Sequence, residues 1–415
     1  MPGITRVSWR GREGPIVHNL SATVVVVAIG VFAGCSDGAT RISAPPPPEL
    51  NVSSNGTRMV NSLDDPGDGV CSNKQCTLRE ALASAQNGER ITFKGNLSGT
   101  IALTAGALPI DQGVIIDGPG ADKLTVSAQN AHRVIHIGAV NPVIVTISGV
   151  TITGGSVPSD VGGGIQLMAG SRLVLIGSLV TGNSAVFGAG IHSLGTLTLV
   201  GSTIAENNAS ASGGGIVNSG APLTISRSTI SANSAAVGGG GGILAVCEID
   251  CGSGVTIRSS TITTNDAAGG GGGVFFGGPI SIFNTVIAGN RVNGDPAAPD
   301  ADCNEHPVSL GYNLSTQNTG CQLTGPTDVV VALPSQVFAF VLEPVLANNG
   351  SPRKTHALIE RGFAVDAGYC PGENGDQRGF PRPYDDLRMP NALDGCDIGA
   401  FEWQPADTKT KGPKP

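Results

Sequence analysis

The most reactive side chains in this 415-residue sequence are nine cysteines, and their placement sets one apart from the other eight. Cys35 follows an apolar stretch closed by small residues, where a thiol could accept a lipid. The others fall into local pairs: Cys71/Cys76, Cys247/Cys251, Cys303/Cys321 and Cys370/Cys396. In an exported chain that pattern predicts four disulfides. The CxxC knuckles and nearby histidines of a zinc site are missing. Carboxylates come next. Glycoside hydrolysis needs two of them facing across a sugar, and a lyase needs a base with charge stabilisation, often from calcium. Between Val145 and Asn290 the acids are Asp160, Glu206, Glu248, Asp250 and Asp266. Outside that span they cluster as Asp64, Asp65 and Asp68, as Asp295, Asp300 and Asp302, and as Asp385 and Asp386. The DDPGDG run could offer oxygens to calcium, but it lacks the later Glu of an EF-hand loop, so a solvated turn is the simpler reading. His132 and His136 lie on an alternating stretch and share a face as a surface pair. No catalytic residue, metal ligand or cofactor site is assigned.

Any such group must be positioned by the repeat that runs from about Val145 to Asn290. Its phrases are VTISGVTITGG, LVLIGSLVTGN, LTLVGSTIAEN, LTISRSTISAN, VTIRSSTITTN and ISIFNTVIAGN. The last five end at Asn183, Asn207, Asn233, Asn265 and Asn290, and Gly-rich segments follow, closing on Ile191, Ile216, Ile243 and Val274 after an earlier one at Ile165. The spacing, near 25 residues, is stretched once where CEIDC is inserted. A period of that size marks a solenoid. Inside each repeat the period is two: Leu173 and Leu175, Leu197 and Leu199, Leu223 and Ile225 alternate with polar residues. That is strand patterning. Three short strands and three turns fit each repeat, with Leu/Ile ladders inside, an Asn amide ladder at one turn, and glycines at corners needing positive φ. The expected fold is an all-β, single-stranded parallel β-helix, right-handed because that form is commoner. His192, just after Ile191, should point outward.

Composition agrees. The 62 glycines are periodic, so they signal architecture and not disorder, and only 13% of residues are charged. A net charge of −8 and a pI near 5.2 disfavour nucleic acid or anionic lipid as partners.

Residues 1–35 resemble a bacterial lipoprotein signal. Arg6, Arg10 and Arg12 precede an apolar run from Leu20 to Phe32, and Val31-Phe32-Ala33-Gly34 leads into Cys35. The resemblance implies lipidation of Cys35, export, and a place in the cell envelope at the outer membrane or cell surface; an ordinary secretory signal is the alternative. Residues 36–57, with Pro45 to Pro48, read as an extended tether.

Residues 58–110 are expected to cap the solenoid. Thr77 and Glu80 make a capping box, Leu78, Ala81, Leu82 and Ala85 share one helical face, and Gly88 stops the helix. Such a cap covers the open edge of the first coil. Cys76-Thr77-Leu78-Arg79-Glu80-Ala81-Leu82 resembles the CSLREA domain at the start of bacterial surface β-helix proteins, with Thr77 in place of Ser; Ile115 to Ala128 resembles that family's entry coils. The β-helix itself occupies residues 111–293, with repeats like those of polymorphic outer-membrane proteins. Residues 294–403 carry PDADC, LGYNLS, LANNGSPRKTHAL, AVDAG, DQRGFPRP and CDIGAFE in an order that closely resembles the choice-of-anchor Q region, expected here as a C-terminal cap with His356 packed inside. In relatives an anchoring tail follows. Here residues 404–415 are a Lys/Pro-rich tail, expected to be disordered, and a lipid on Cys35 could substitute for an anchor.

The resemblance implies a surface β-helix protein; a monomer with a glycan or protein ligand is the expectation here. The rival is a polysaccharide lyase or glycoside hydrolase, since such enzymes use this fold. On stacked coils their carboxylates should recur at matching positions, and they do not. Glu206 stands where neighbouring repeats have Gly182, Ala232 and Thr264; Arg227 and Arg258 are offset by one place and should face opposite ways; the paired-Asp and Gly-His-Gly signatures of polygalacturonases are missing. The reading is therefore a non-catalytic binding or adhesion protein.

Overall fold

The computed structural model describes residues 56–246, 254–317 and 320–405. Cys35, the leader, nearly all of the tether, the Cys247/Cys251 pair and residues 406–415 lie outside the described residues.

One coil shows the construction. Ile144–Ser148, Thr151–Thr153, Ser156–Val161 and Ile165–Leu167 are four short strands, and each pairs in parallel with the equivalent strand of the next coil. Repeating this builds four parallel sheets, here called I to IV in coil order, with ten, ten, six and seven strands. The expected three strands per coil thus omit one. Sheet III forms where the segment after each ladder Asn is extended, as in Ser184–Phe187 and Asn208–Ser212. Its strands are short and rich in Ser and Ala, without a repeated apolar alternation, so they carry little strand signal in sequence.

Register converts the sequence alternation into ladders. Leu173, Leu197, Leu223, Val255 and Ile280 stack in sheet I, and Leu175, Leu199, Ile225, Ile257 and Ile282 form a second row beside them. Val180, Ile204, Ile230, Ile262 and Ile287 face them from sheet II, and Ile165, Ile191, Ile216, Ile243 and Val274 from sheet IV. All are buried in one continuous core, and each such side chain stabilises by about 1.5–3 kcal/mol relative to exposure.

Two polar ladders tie the corners. The expected Asn ladder is present: Nδ2 of Asn183, Asn207, Asn233 and Asn265 each donates at 2.9 Å to Oδ1 of the Asn one coil on. A second ladder, of hydroxyls, joins sheets I and II. The backbone N–H of Ser178, Ser202 and Ser228 donates to the hydroxyl of Ser202, Ser228 and Ser260 respectively. Buried polar groups need such partners.

The Gly clusters serve two ends. Gly188 sits at φ +58, where an L-residue is disfavoured. Gly215 has an ordinary φ, yet a Cβ there would lie 2.5 Å from the Gly242 carbonyl and 3.1 Å from the Asn233 side chain. Close approach, not positive φ, explains that column. Conversely, the positive-φ corners are not reserved for glycine, since Glu206, Arg227, Ala232, Ser259 and Thr264 adopt them.

At the N-terminal end, Leu78–Ser84 is a helix with the expected capping box, and its Leu78, Ala81 and Leu82 are buried. It stops because Ala85 turns extended, three residues before Gly88. The C-terminal region differs from the expected end cap. Val308–Ser309 and Leu314–Thr316 continue sheets I and II, but residues 334–403 return along the outer face of sheet II. Thr203, Thr229, Ser231 and Thr261 on that face bond to Lys354, Gln377, His356 and Ala400. A second hydrophobic cluster, including Val286, Leu314, Ile398, Phe401 and Trp403, seals the contact.

Candidate functional site

With sheet II covered, the outward groups with most chemical potential lie on sheet IV. His136, Gln166 and His192 occupy one column on three adjacent strands. Each is half-exposed between buried neighbours such as Ile135, Ile137, Ile165 and Ile191, so all three point away from the core. The column continues through Val217, Leu244 and Phe275. It therefore changes from polar to apolar along the axis.

One wall of the polar half is fixed by Arg133. Its guanidinium donates to the carbonyls of Gly162 at 3.0 Å and Val161 at 2.7 Å, and pairs with Asp160 at 2.8 Å. These bonds hold the strand Ser156–Val161 beside the column. Asp160 is held below the usual carboxylate range, chiefly by its hydrogen bond from Arg133. Burial, then the charge of Arg133, pushes both His136 and His192 down, with Asp160 opposing in each case. Nε2 of His136 and Nδ1 of His192 are buried without a hydrogen-bond partner. An imidazolium would bury an unpaired N–H there, so both rings are neutral at neutral pH.

Asp160 is a single carboxylate locked in an ion pair, not one of two facing acids. His136 and His192 stand two strands apart, roughly 10 Å at about 4.8 Å per strand, too far to share a metal ion at bond lengths of about 2 Å. Among the described residues, one acidic or thiol group has side chains close enough for a shared ion, Cys370, Asp394 and Cys396. Its two sulfurs are bonded to each other.

The other residues singled out in the sequence are engaged elsewhere. Cys71–Cys76, Cys303–Cys321 and Cys370–Cys396 are disulfides as expected. Asp64, Asp65 and Asp68 do not converge as a calcium site. Asp64 contacts Ser62 and Gln75, Asp65 pairs with Arg79 at 2.6 Å, and Asp68 accepts from the Val70 amide. Asp65 and Glu80 are buried groups whose hydrogen bonds outweigh desolvation and hold them below their usual range. They are structural, not solvated.

Asp302, one of the acids clustered outside the repeats, is fully buried. It follows Gly273 in the close-packed Gly column, and its Oδ1 replaces the next Asn, accepting from Asn290 N–H at 3.1 Å and Nδ2 at 2.9 Å. Oδ2 bonds to Thr316. Burial raises this carboxyl above its ordinary range. His356 is packed as expected, bonding Ser231 at 2.7 Å and the Glu343 carbonyl at 2.8 Å. Arg227 reaches the Gly375 carbonyl from its corner, while Arg258 lies 4.9 Å from the centroid of the Phe283 ring. Phe276 is buried and Phe275 half-buried.

Sequence reasoning missed the ionic core of the C-terminal region. Arg378 pairs with Asp376 at 2.8 Å and stacks 3.5 Å from the Phe401 ring centroid; Arg382 pairs with Glu402 at 3.0 Å. All four charged side chains are inaccessible. Burial pushes Glu402 up to about 7, against the pull of Arg382. The cluster holds the region together and offers no access to a substrate. Gln166 and Arg133 were missed too, although the residue after each coil-closing Ile was available as a signal for an outward column.

The coils define the class, a right-handed parallel β-helix. Residues 89–248 match the family model described as a right handed beta helix region. Among solved structures, the chain is similar to the crystal structure of pectate lyase Pel9A, at 11% identity and a TM-score of 0.44, with 85% of this chain and 98% of that one covered. No curated protein sequence matches. No helix among the described residues is long and apolar enough to cross a membrane.

Proposed function

We propose that this protein is an exported β-helix of the bacterial cell envelope, tethered by a lipid on Cys35, that binds a surface glycan and does not cleave it. The observation that carries the reading is how the titratable groups are used. Asp65 with Arg79, Asp302 with Asn290, Asp376 with Arg378 and Glu402 with Arg382 all serve packing. The half-exposed polar column on sheet IV is left as a surface for recognition. Three disulfides among the described residues fit an oxidising compartment. The flanking segments fit a CSLREA-type start and a choice-of-anchor Q-type end, which belong to surface proteins.

A glycan array with product analysis on every glycan retained tests the reading. Binding without new chain ends is expected. Cleavage would replace it with the lyase or hydrolase alternative. Fractionation of cells carrying Cys35→Ala tests the tether: the variant should leave the membrane fraction, and retention there would remove the lipid from the account.

A further inference from the structure

We infer that the sheet IV column His136–Gln166–His192, walled by Arg133 and Asp160, is the binding strip for a neutral, extended polysaccharide lying parallel to the helix axis. This rests on the glycan reading above and assigns it a place and a ligand class.

The first argument is spacing. The three side chains sit on consecutive strands, so their hydrogen-bonding groups repeat about every 4.8 Å. That is close to the length of one pyranose residue in an extended chain, so each successive sugar lies over a successive strand. A globular ligand would gain nothing from this repeat. A polymer gains one contact per unit.

The second argument is charge. The Arg133 guanidinium sets its charge against Asp160 and spends Nε and Nη2 on that carboxylate and two carbonyls, and its side chain is only 11% exposed. Both imidazoles are neutral because each buries an unpartnered nitrogen. The column itself offers solvent an uncharged row of imidazole and amide groups, each able to donate to or accept from a hydroxyl, beside the exposed Asp160 carboxylate paired with Arg133. Arg133, the cation of this wall, is paired with Asp160 and not left to recruit a uronate or sulfate, and the chain as a whole carries −8. The strip therefore selects against polyanions.

The third argument is the apolar continuation. Beyond His192 the column passes the buried Val217 and then offers Leu244 and the half-buried ring of Phe275. Sugar rings present C–H faces as well as hydroxyls, and a strip that passes from hydrogen-bonding to apolar groups meets both.

The test uses purified protein and oligosaccharides of increasing length from neutral glucans, mannans and xylans, with polyuronates as the charged counterpart, measured by calorimetry. A neutral series should bind, with affinity rising as each added sugar reaches another strand. Gln166→Ala and His192→Ala should each weaken it about tenfold, with Thr256→Ala, on the outer face of sheet I, unchanged. Gln166→Glu, a substitution of similar size, guards against loss of fold and should weaken binding as well; unfolding midpoints confirm that each variant is intact. Glycan binding that ignores all the column substitutions would overturn the strip and leave the glycan reading standing. Binding confined to polyuronates would overturn the ligand class. Silence across every polymer would remove both the strip and the glycan reading.

Discussion

Single positions in this molecule matter through the neighbouring coil more than through their own. Gly215 is the sharpest case, since a methyl there would strike the Gly242 carbonyl at 2.5 Å. Gly215→Ala should destabilise by about 3 kcal/mol or more, as overpacking against backbone cannot relax. Gly277 has open space around its Cβ position and an ordinary φ, so Gly277→Ala should stay within about 0.5 kcal/mol. Denaturant midpoints of the two variants check this, and equal effects would mean the coils are less tightly stacked than described. Asp302 carries the end of the Asn ladder. Asp302→Ala removes the acceptor of the buried Asn290 backbone N–H, a loss of about 1–3 kcal/mol. A thermal midpoint like that of the parent would show that the ladder needs no terminator. The five ladder asparagines were legible because they recur. Asp302 was not, because it lies only 12 residues after Asn290 and reaches the ladder from the Gly column.

At the scale of elements, legibility followed periodicity. The Leu and Ile rows and the Thr77–Glu80 cap declare themselves locally. The return of the C-terminal region does not, because its contacts join residues such as Thr229 and Gln377, 148 apart, without any repeat. The two ends of the chain should respond oppositely to pH. Glu402, raised to about 7, and Asp366, raised to about 6, are both pushed up first by burial. A raised carboxyl lends stability in full below its ordinary value and loses it as pH rises through the folded value. The C-terminal region should therefore unfold at lower temperature at about pH 8 than at about pH 5, and Glu402→Gln should flatten that slope. Fluorescence of buried Trp403 reports it; a midpoint that climbs with pH over that range would contradict the assignment. Asp65 and Glu80 at the N-terminal cap are depressed. Their contribution is present above the ordinary carboxylate range and lost as pH falls through the folded values. Thr77→Ala should cost that cap about 1 kcal/mol, read as faster amide exchange in Leu78–Ser84.

For the whole molecule, stability is shared between a periodic core and a non-periodic clasp. The six described half-cystines lie in the N-terminal cap and from residue 303 onward, outside the central coils. Reduction should loosen both ends before the middle. Thiol labelling of unfolded, unreduced protein should leave these six unmodified, and reactive thiols among them would contradict the bonding. The clasp has a further effect on how such a protein could evolve. Solenoids ordinarily lengthen by duplicating a repeat, because a new coil needs only its neighbours. Here residues 353–400 contact corners and strands at Gly177, Thr203, Thr229, Ser259 and Thr261, each at its own point on a non-repeating segment. A duplicated coil inserted among them would move every later partner one step out of reach. Over that stretch the gene is held to a fixed number of repeats, and growth by duplication is open only toward the N-terminal coils that the clasp does not touch.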